Sequence, residues 1–151
     1  MPKVYIIIGP PYSGKREIAN TLSCSIINVD EVKSHVSYNP YHVADYAMMR
    51  VKRSVDSMAR MYVNKNSNFC IVDSSCNLDI LSSVKPYLKG YEIVILTAST
   101  TLNKALFNSF CDIFSIKERP PFSYIKKCFK NYEKNKLKFL ALKAIFKNEH
   151  T

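Results

Sequence analysis

The stretch YIIIGPPYSGKREIA, residues 5–19, constrains this chain more than any other. A run of β-branched residues leads into Gly9, four further residues, Gly14 and Lys15, which is the spacing of a loop that cradles phosphate between a strand and a helix. The chain has only three glycines, and two of them stand five positions apart at this junction. A strand, turn and helix that matches by chance is therefore a poor alternative. Backbone N–H groups from Ser13 to Arg16 would point at phosphate oxygens, with the positive end of the new helix behind them. Lys15 would reach the β- and γ-phosphates. Pro10 and Pro11 have no N–H to offer, but they occupy the first half of the loop, where stiffness is tolerated. Arg16 is the anomaly, because a Ser or Thr that ligates magnesium is expected there.

The rest of the chain alternates in the same manner. Residues 3–8, 25–29, 68–73 and 91–98 are uniformly apolar or β-branched, as in strands buried on both faces. Between them lie expected helices at 15–24, 40–65, 78–89 and 100–110, with a last one at 122–147 after the break KERPP. Asn39 as cap and Pro40 at the first helical position open the second of these. Its apolar stripe reads Ala44, Met48, Val51, Val55, Met58 and Tyr62. Pro86 disturbs the third, and Gly90 closes it. This pattern predicts one domain over residues 1–151, a three-layer α/β/α fold around a parallel sheet of four to five strands. Ligands of such sheets bind beyond the carboxyl ends of the strands, so Gly9 to Lys15, Asp30 and Asp73 should share one rim.

Asp30, at the end of INVD, is either the cap of the following segment or a general base that takes the proton of an attacking hydroxyl. Lys33, one helical turn on, is placed for an acceptor phosphate or is a solvated surface charge. Asp73 ends a buried strand, as do carboxylates that hold Mg²⁺ through water in phosphate-loop enzymes.

A net charge of +10 fits a polyanionic partner such as nucleic acid or a nucleotide, although the Lys, Asn, Ile and Tyr content equally fits an AT-rich gene of the kind many viruses carry. The five cysteines form no CxxC pair and have no histidine at ligand spacing. A zinc site or disulfide framework is not indicated, and reduced thiols in a cytoplasm are expected. No apolar run reaches the roughly 18 residues of a membrane span. The Lys-rich final helix reads as amphipathic, aromatics inward; a path for a single strand along it is the alternative.

Taken together, IIIGPPYSGKRE, IINVDEVK, FCIVDSSCNLD and PPFSYIKKCFKNYEK resemble the kinase domain of phage-type polynucleotide 5′-hydroxyl kinases, in this order and over nearly the whole chain. The resemblance implies a P-loop kinase fold, ATP with Mg²⁺ as cofactors and a single-stranded nucleic acid as partner. It implies nucleotide contacts from Gly9, Tyr12, Ser13, Gly14, Lys15 and Arg16, with Asp30 as base. Lys33, Asp73 and Ser74 would lie in the acceptor site, and Asp73 would also receive the metal. The chain departs from that family at three points. Arg16 replaces a hydroxyl and cannot ligate a cation, though it can offer the phosphates a second charge. Tyr12 replaces a glycine and is strained if its φ is positive. The family's lid arginines are missing from residues 106–116, leaving Lys104, Lys117 and Arg119 as substitutes, with Arg119 taken as the catalytic one. Two other functions stay open: a nucleoside or nucleotide kinase, and a degenerate P-loop protein that binds nucleotide or nucleic acid without turnover.

Overall fold

The computed structural model describes residues 1–77, 79–112 and 120–149, with helix backbone alone from 139 onward. β1 (Lys3–Ile8) leads through the glycine loop into α1 (Lys15–Thr21), and β2 (Ser25–Asn28) runs directly into α2 (Val29–Val36). The long α3 (Asp45–Asn64) returns to β3 (Phe69–Asp73), and α4 (Asp79–Val84) with a 3-10 turn (Lys85–Tyr87) returns to β4 (Glu92–Thr97). Two further helices, α5 (Leu102–Cys111) and α6 (Phe122–Glu149), follow. Among the described residues the sheet has four strands, all parallel, in the order β2-β3-β1-β4.

Successive residues of a strand face opposite sides of the sheet. Val4, Ile6 and Ile8 of β1 join the larger core with Val51 and Val55 of α3, Ile80 of α4 and Tyr132 of α6. Ile7, between them, packs on the other face with Cys70, Val72 and Ala19 of α1. The three expected layers follow from this alternation. Val51 and Val55 are fully enclosed, and each such burial contributes about 1.5–3 kcal/mol relative to exposure.

The strand order also locates the site. The chain leaves β1 toward β2 and leaves β3 toward β4, in opposite directions, and a crevice forms where neighbouring strands part company in this way. Ile8 and Asp73 are register partners, so the glycine loop and the Asp73 carboxylate emerge from the sheet side by side.

Several boundaries differ from the sequence pattern. The helix expected to open at Pro40 begins at Asp45 instead. Asn39 Oδ1 accepts the Tyr41 N–H at 3.0 Å and Asn39 O accepts the His42 N–H at 3.3 Å. This side-chain turn competes with the helix and wins. Ala44 is therefore exposed, and the core face is Ala47, Val51, Val55 and Ala59. α1 stops at Thr21, and Ser23 turns the chain at φ 51°. β2 ends at Asn28, which places Asp30 in the first turn of α2 and not on a strand.

Candidate active site

Gly9 and Gly14 shape the phosphate loop for different reasons. A Cβ on Gly9 would stand 2.5 Å from Ala98 O and 2.6 Å from Ser13 Oγ, so only glycine lets the loop pass the end of β4. Gly14 has φ +87°, a left-handed turn that starts α1. Lys15 folds back across the loop: its Nζ donates to Pro10 O at 2.7 Å and contacts Ser13 Oγ at 3.5 Å. It is 7% exposed. Burial lowers its pKa, and the nearby Asp30, Cys76 and Asp73 oppose that shift.

Asp30 and Asp73 both face this lysine electrostatically. Asp30 is not the helix cap, because Asn28 is: its Oδ1 accepts the N–H groups of Asp30 at 3.1 Å and Glu31 at 3.4 Å. The Asp30 side chain is thereby left over. Its Oδ1 is buried with no hydrogen-bond partner among the described residues. Asp73 is enclosed, and burial pushes its pKa up; the Asp30 charge adds to this, while Lys33 and Ser75 oppose it. Ser75 gives Asp73 Oδ1 two hydrogen bonds, from N–H at 2.9 Å and from Oγ at 2.8 Å. Ser74, which the resemblance puts in the acceptor site, is buried and makes neither of these bonds to Asp73. The missed signal was the Asp-x-Ser spacing, which favours a turn closed by the carboxylate. Lys33 is buried beside Asp73.

Arg16 is exposed and stands over a shallow depression with Asn20, Asn28, Glu31 and Val72. That depression lies on the α1 side of the sheet, where Ala19 and Val72 also line it. Arg119 and Lys117 lie outside the described residues, and Lys104 is exposed on α5. Tyr12 has φ 64°, so the strain anticipated for a non-glycine residue there is present.

No local sequence pattern marks the cleft that Lys33 and Ser75, the neighbours of Asp73, help to line. This cleft measures about 760 Å³ and is lined by Lys33, Tyr41, Tyr46, Lys52, Tyr124 and Lys127, among others. Tyr41 and Tyr124 meet with ring centroids 5.1 Å apart and planes tilted by 59°. Asn131 and Asn135 of α6 donate to Ser75 O at 3.1 Å and Cys76 O at 2.9 Å, fixing the loop after β3 against α6. The stripe Ile125, Cys128, Tyr132 and Asn135 is buried, so this part of α6 is amphipathic as expected, but of its described aromatics Tyr132 is buried, Tyr124 and Phe129 are half-buried and Phe122 is exposed. Lys127, on its flank, reaches the cleft. Among the described residues no three His, Cys, Asp or Glu gather as a metal site, and no helix is long and apolar enough to cross a membrane.

No protein-family model matches the sequence, and no curated protein matches it. Solved structures do match. A chain from the "Structure of the Pnkp1/Rnl/Hen1 RNA repair complex" superposes with a TM-score of 0.74 at 18% identity, over 91% of this chain and 46% of that one. A chain from the "Structure of Pnkp1/Rnl/Hen1 complex" gives 0.61 at 17% identity, over 77% and 41%. The fold is that of a P-loop kinase. An unliganded sugar kinase from Janibacter sp. HTCC2649 shares it, with a TM-score of 0.65 at 11% identity over 87% of this chain and 78% of that one. The chain spans less than half the length of the first two.

Proposed function

We propose that this P-loop kinase fold serves a phosphotransferase that moves the γ-phosphoryl group of ATP to the 5′-hydroxyl of a single-stranded nucleic acid. Asp30 carries the reading. A buried carboxylate oxygen without a partner, on the rim of a phosphate loop, is a base awaiting a proton donor, and an alcohol acceptor supplies one. Lys15 uses two of its three N–H donors on the loop and keeps one for phosphate. As the acceptor oxygen bonds to the γ-phosphorus, its proton passes to Asp30 Oδ1 and the bond from phosphorus to the bridging oxygen breaks, releasing ADP.

Mg²⁺ characteristically keeps several waters and binds through one or two carboxylates plus substrate phosphates. The residues are compatible with that mode: Asp73 would be the carboxylate that receives it, with no all-protein cage needed. The ion would supply neutralisation of phosphate charge. Lys33 and Ser75 bound the cleft where the acceptor would lie. Its tyrosines and lysines support a nucleic-acid acceptor, since bases stack on aromatic rings while lysines meet the backbone. The RNA-repair description of one structural neighbour points the same way.

A second reading, transfer to a small alcohol, draws on the sugar kinase, most of whose length this chain covers. One assay separates them: label transfer from γ-labelled ATP to 5′-hydroxyl DNA and RNA oligonucleotides, with nucleosides and hexoses in parallel. Labelled oligonucleotides are expected. Label on a hexose or nucleoside alone moves the reading to a small-molecule kinase, and ATP binding without transfer to any acceptor removes the enzyme reading.

A further inference from the structure

Two residues of this chain break local rules, and they touch each other. Tyr12 occupies a left-handed turn, φ 64°, in the middle of the phosphate loop. An L-residue with a large side chain rarely adopts this conformation and does so at an energetic cost, which is why glycine is the usual occupant. Asp112 caps the carboxyl end of α5, where the helix already presents partial negative charge and a basic residue would be favoured. The Tyr12 hydroxyl donates to Asp112 Oδ2 at 2.7 Å across a separation of 100 residues. Ser109, one turn earlier on α5, also reaches the phenol. Burial first, and then the Asp112 carboxylate, raise the phenol pKa to about 12, so it remains a donor throughout the physiological range. Each choice is unfavourable alone, and the pair accounts for both. Places where local preference fails in this concerted manner are where function has set the sequence.

We propose that Tyr12 is a positioning residue: its hydrogen bond to Asp112 holds the phosphate loop in the left-handed turn that nucleotide phosphates require, in place of the freedom a glycine would supply. The backbone N–H groups of the loop can converge on a phosphate only while this turn is kept, and a tyrosine left to itself relaxes to negative φ. The bond to α5 prevents the relaxation. This inference rests on the reading of residues 9–15 as a nucleotide site.

The test is ATP affinity by calorimetry, with KM for ATP and for the acceptor read separately. Tyr12→Phe keeps the ring and loses the tether, so ATP binding should weaken roughly tenfold, comparable with the left-handed penalty. The acceptor KM should stay where it was. Tyr12→Gly needs no tether and should recover most of what Tyr12→Phe loses. Asp112→Ala should weaken binding less than Tyr12→Phe, because Ser109 still reaches the phenol, and should have no effect in the Tyr12→Gly background. Wild-type affinity in Tyr12→Phe would overturn the inference. So would a Tyr12→Gly variant as weak as Tyr12→Phe, since the side chain would then be touching nucleotide itself. If Tyr12→Phe does not fold, Asp112→Asn, which keeps an acceptor oxygen, should bind ATP more tightly than Asp112→Ala, and equal affinities would overturn the inference. A wild-type protein that binds no ATP removes the loop assignment and this inference together. Wild-type binding with an unresponsive Tyr12 series removes this inference alone.

Discussion

The phosphate loop and the carboxylate rim stand side by side at the ends of β1 and β3, and their polar groups are satisfied in opposite ways. The loop is closed on itself, with Lys15 bonded to Pro10 O and Gly9 backed against Ala98. The rim is not closed. Asp30 Oδ1 has no partner among the described residues, and Asp73 is held by Ser75 at a depth where its charge is disfavoured. An unpaired buried acceptor costs on the order of 1–3 kcal/mol. The loop thus needs only to aim the remaining Lys15 N–H at a phosphate oxygen, whereas the rim keeps an acceptor that a proton donor would satisfy. On the proposed function, preassembly belongs to the donor side of this site and unspent electrostatics to the acceptor side.

The sharpest way to break that division is to remove one group from each side. Asp30→Asn should lower turnover by about 10²–10⁴-fold, the range of a lost general base, with ATP affinity changed by less than roughly threefold. Lys15→Ala should do the reverse in kind, weakening ATP binding in calorimetry while circular dichroism stays native. Near-normal turnover in Asp30→Asn would make its orphaned oxygen a structural accident. Equal losses of ATP affinity in both variants would merge the two sides into one.

The same division explains what could be read from the sequence. The loop is contiguous, and its strand, glycines and helix all announce it within residues 3–21. The parallel sheet was equally legible, because strands buried on both faces carry uniform apolar runs. The proposed acceptor side is assembled from residues near 33, 41, 75 and 127, and no local pattern ties them together. The β-branched run before Asp30 reads as a strand that ends on it, yet Asn28 caps a helix two residues earlier. Asn39 and Pro40 read as a helix start, but the Asn39 side chain closes a turn that lines the cleft instead. The resemblance makes Arg16 a nucleotide contact, whereas the fold sets it over the outer depression with Glu31 and Asn28; consecutive helix residues point about 100° apart, so its position does not follow from that of Lys15.

A smaller effect sharpens the acceptor side. Lys127 is exposed at the cleft wall, and if single strands enter there it neutralises a phosphate. Lys127→Ala should weaken oligonucleotide binding a few-fold and reduce the slope of log affinity against log salt by about one counterion. Lys89, exposed at the opposite end of the sheet just before β4, is the control and should leave the slope alone. A slope unchanged in Lys127→Ala would move the acceptor out of this cleft.

The smallest effect is on stability and concerns Asp73. Burial is the largest cause of its raised pKa, with the Asp30 charge adding to it against Lys33 and Ser75. A carboxyl whose folded pKa lies above its unfolded value contributes its full stability while both states are protonated, and loses that contribution as pH rises through the folded pKa. Asparagine imitates the protonated form at every pH and keeps an oxygen for Ser75. The stability of Asp73→Asn relative to wild type should therefore increase as pH rises out of the ordinary carboxylate range and through the raised folded pKa, as read from urea unfolding at several pH values. The variant should gain this stability while losing transfer activity, as expected where a charge is retained for function at the expense of the fold. The opposite trend, wild type gaining on the variant as pH rises, would mean that Lys33 and Ser75 outweigh burial. Asp73 would then be a satisfied ion-pair partner, and the rim as settled as the loop beside it.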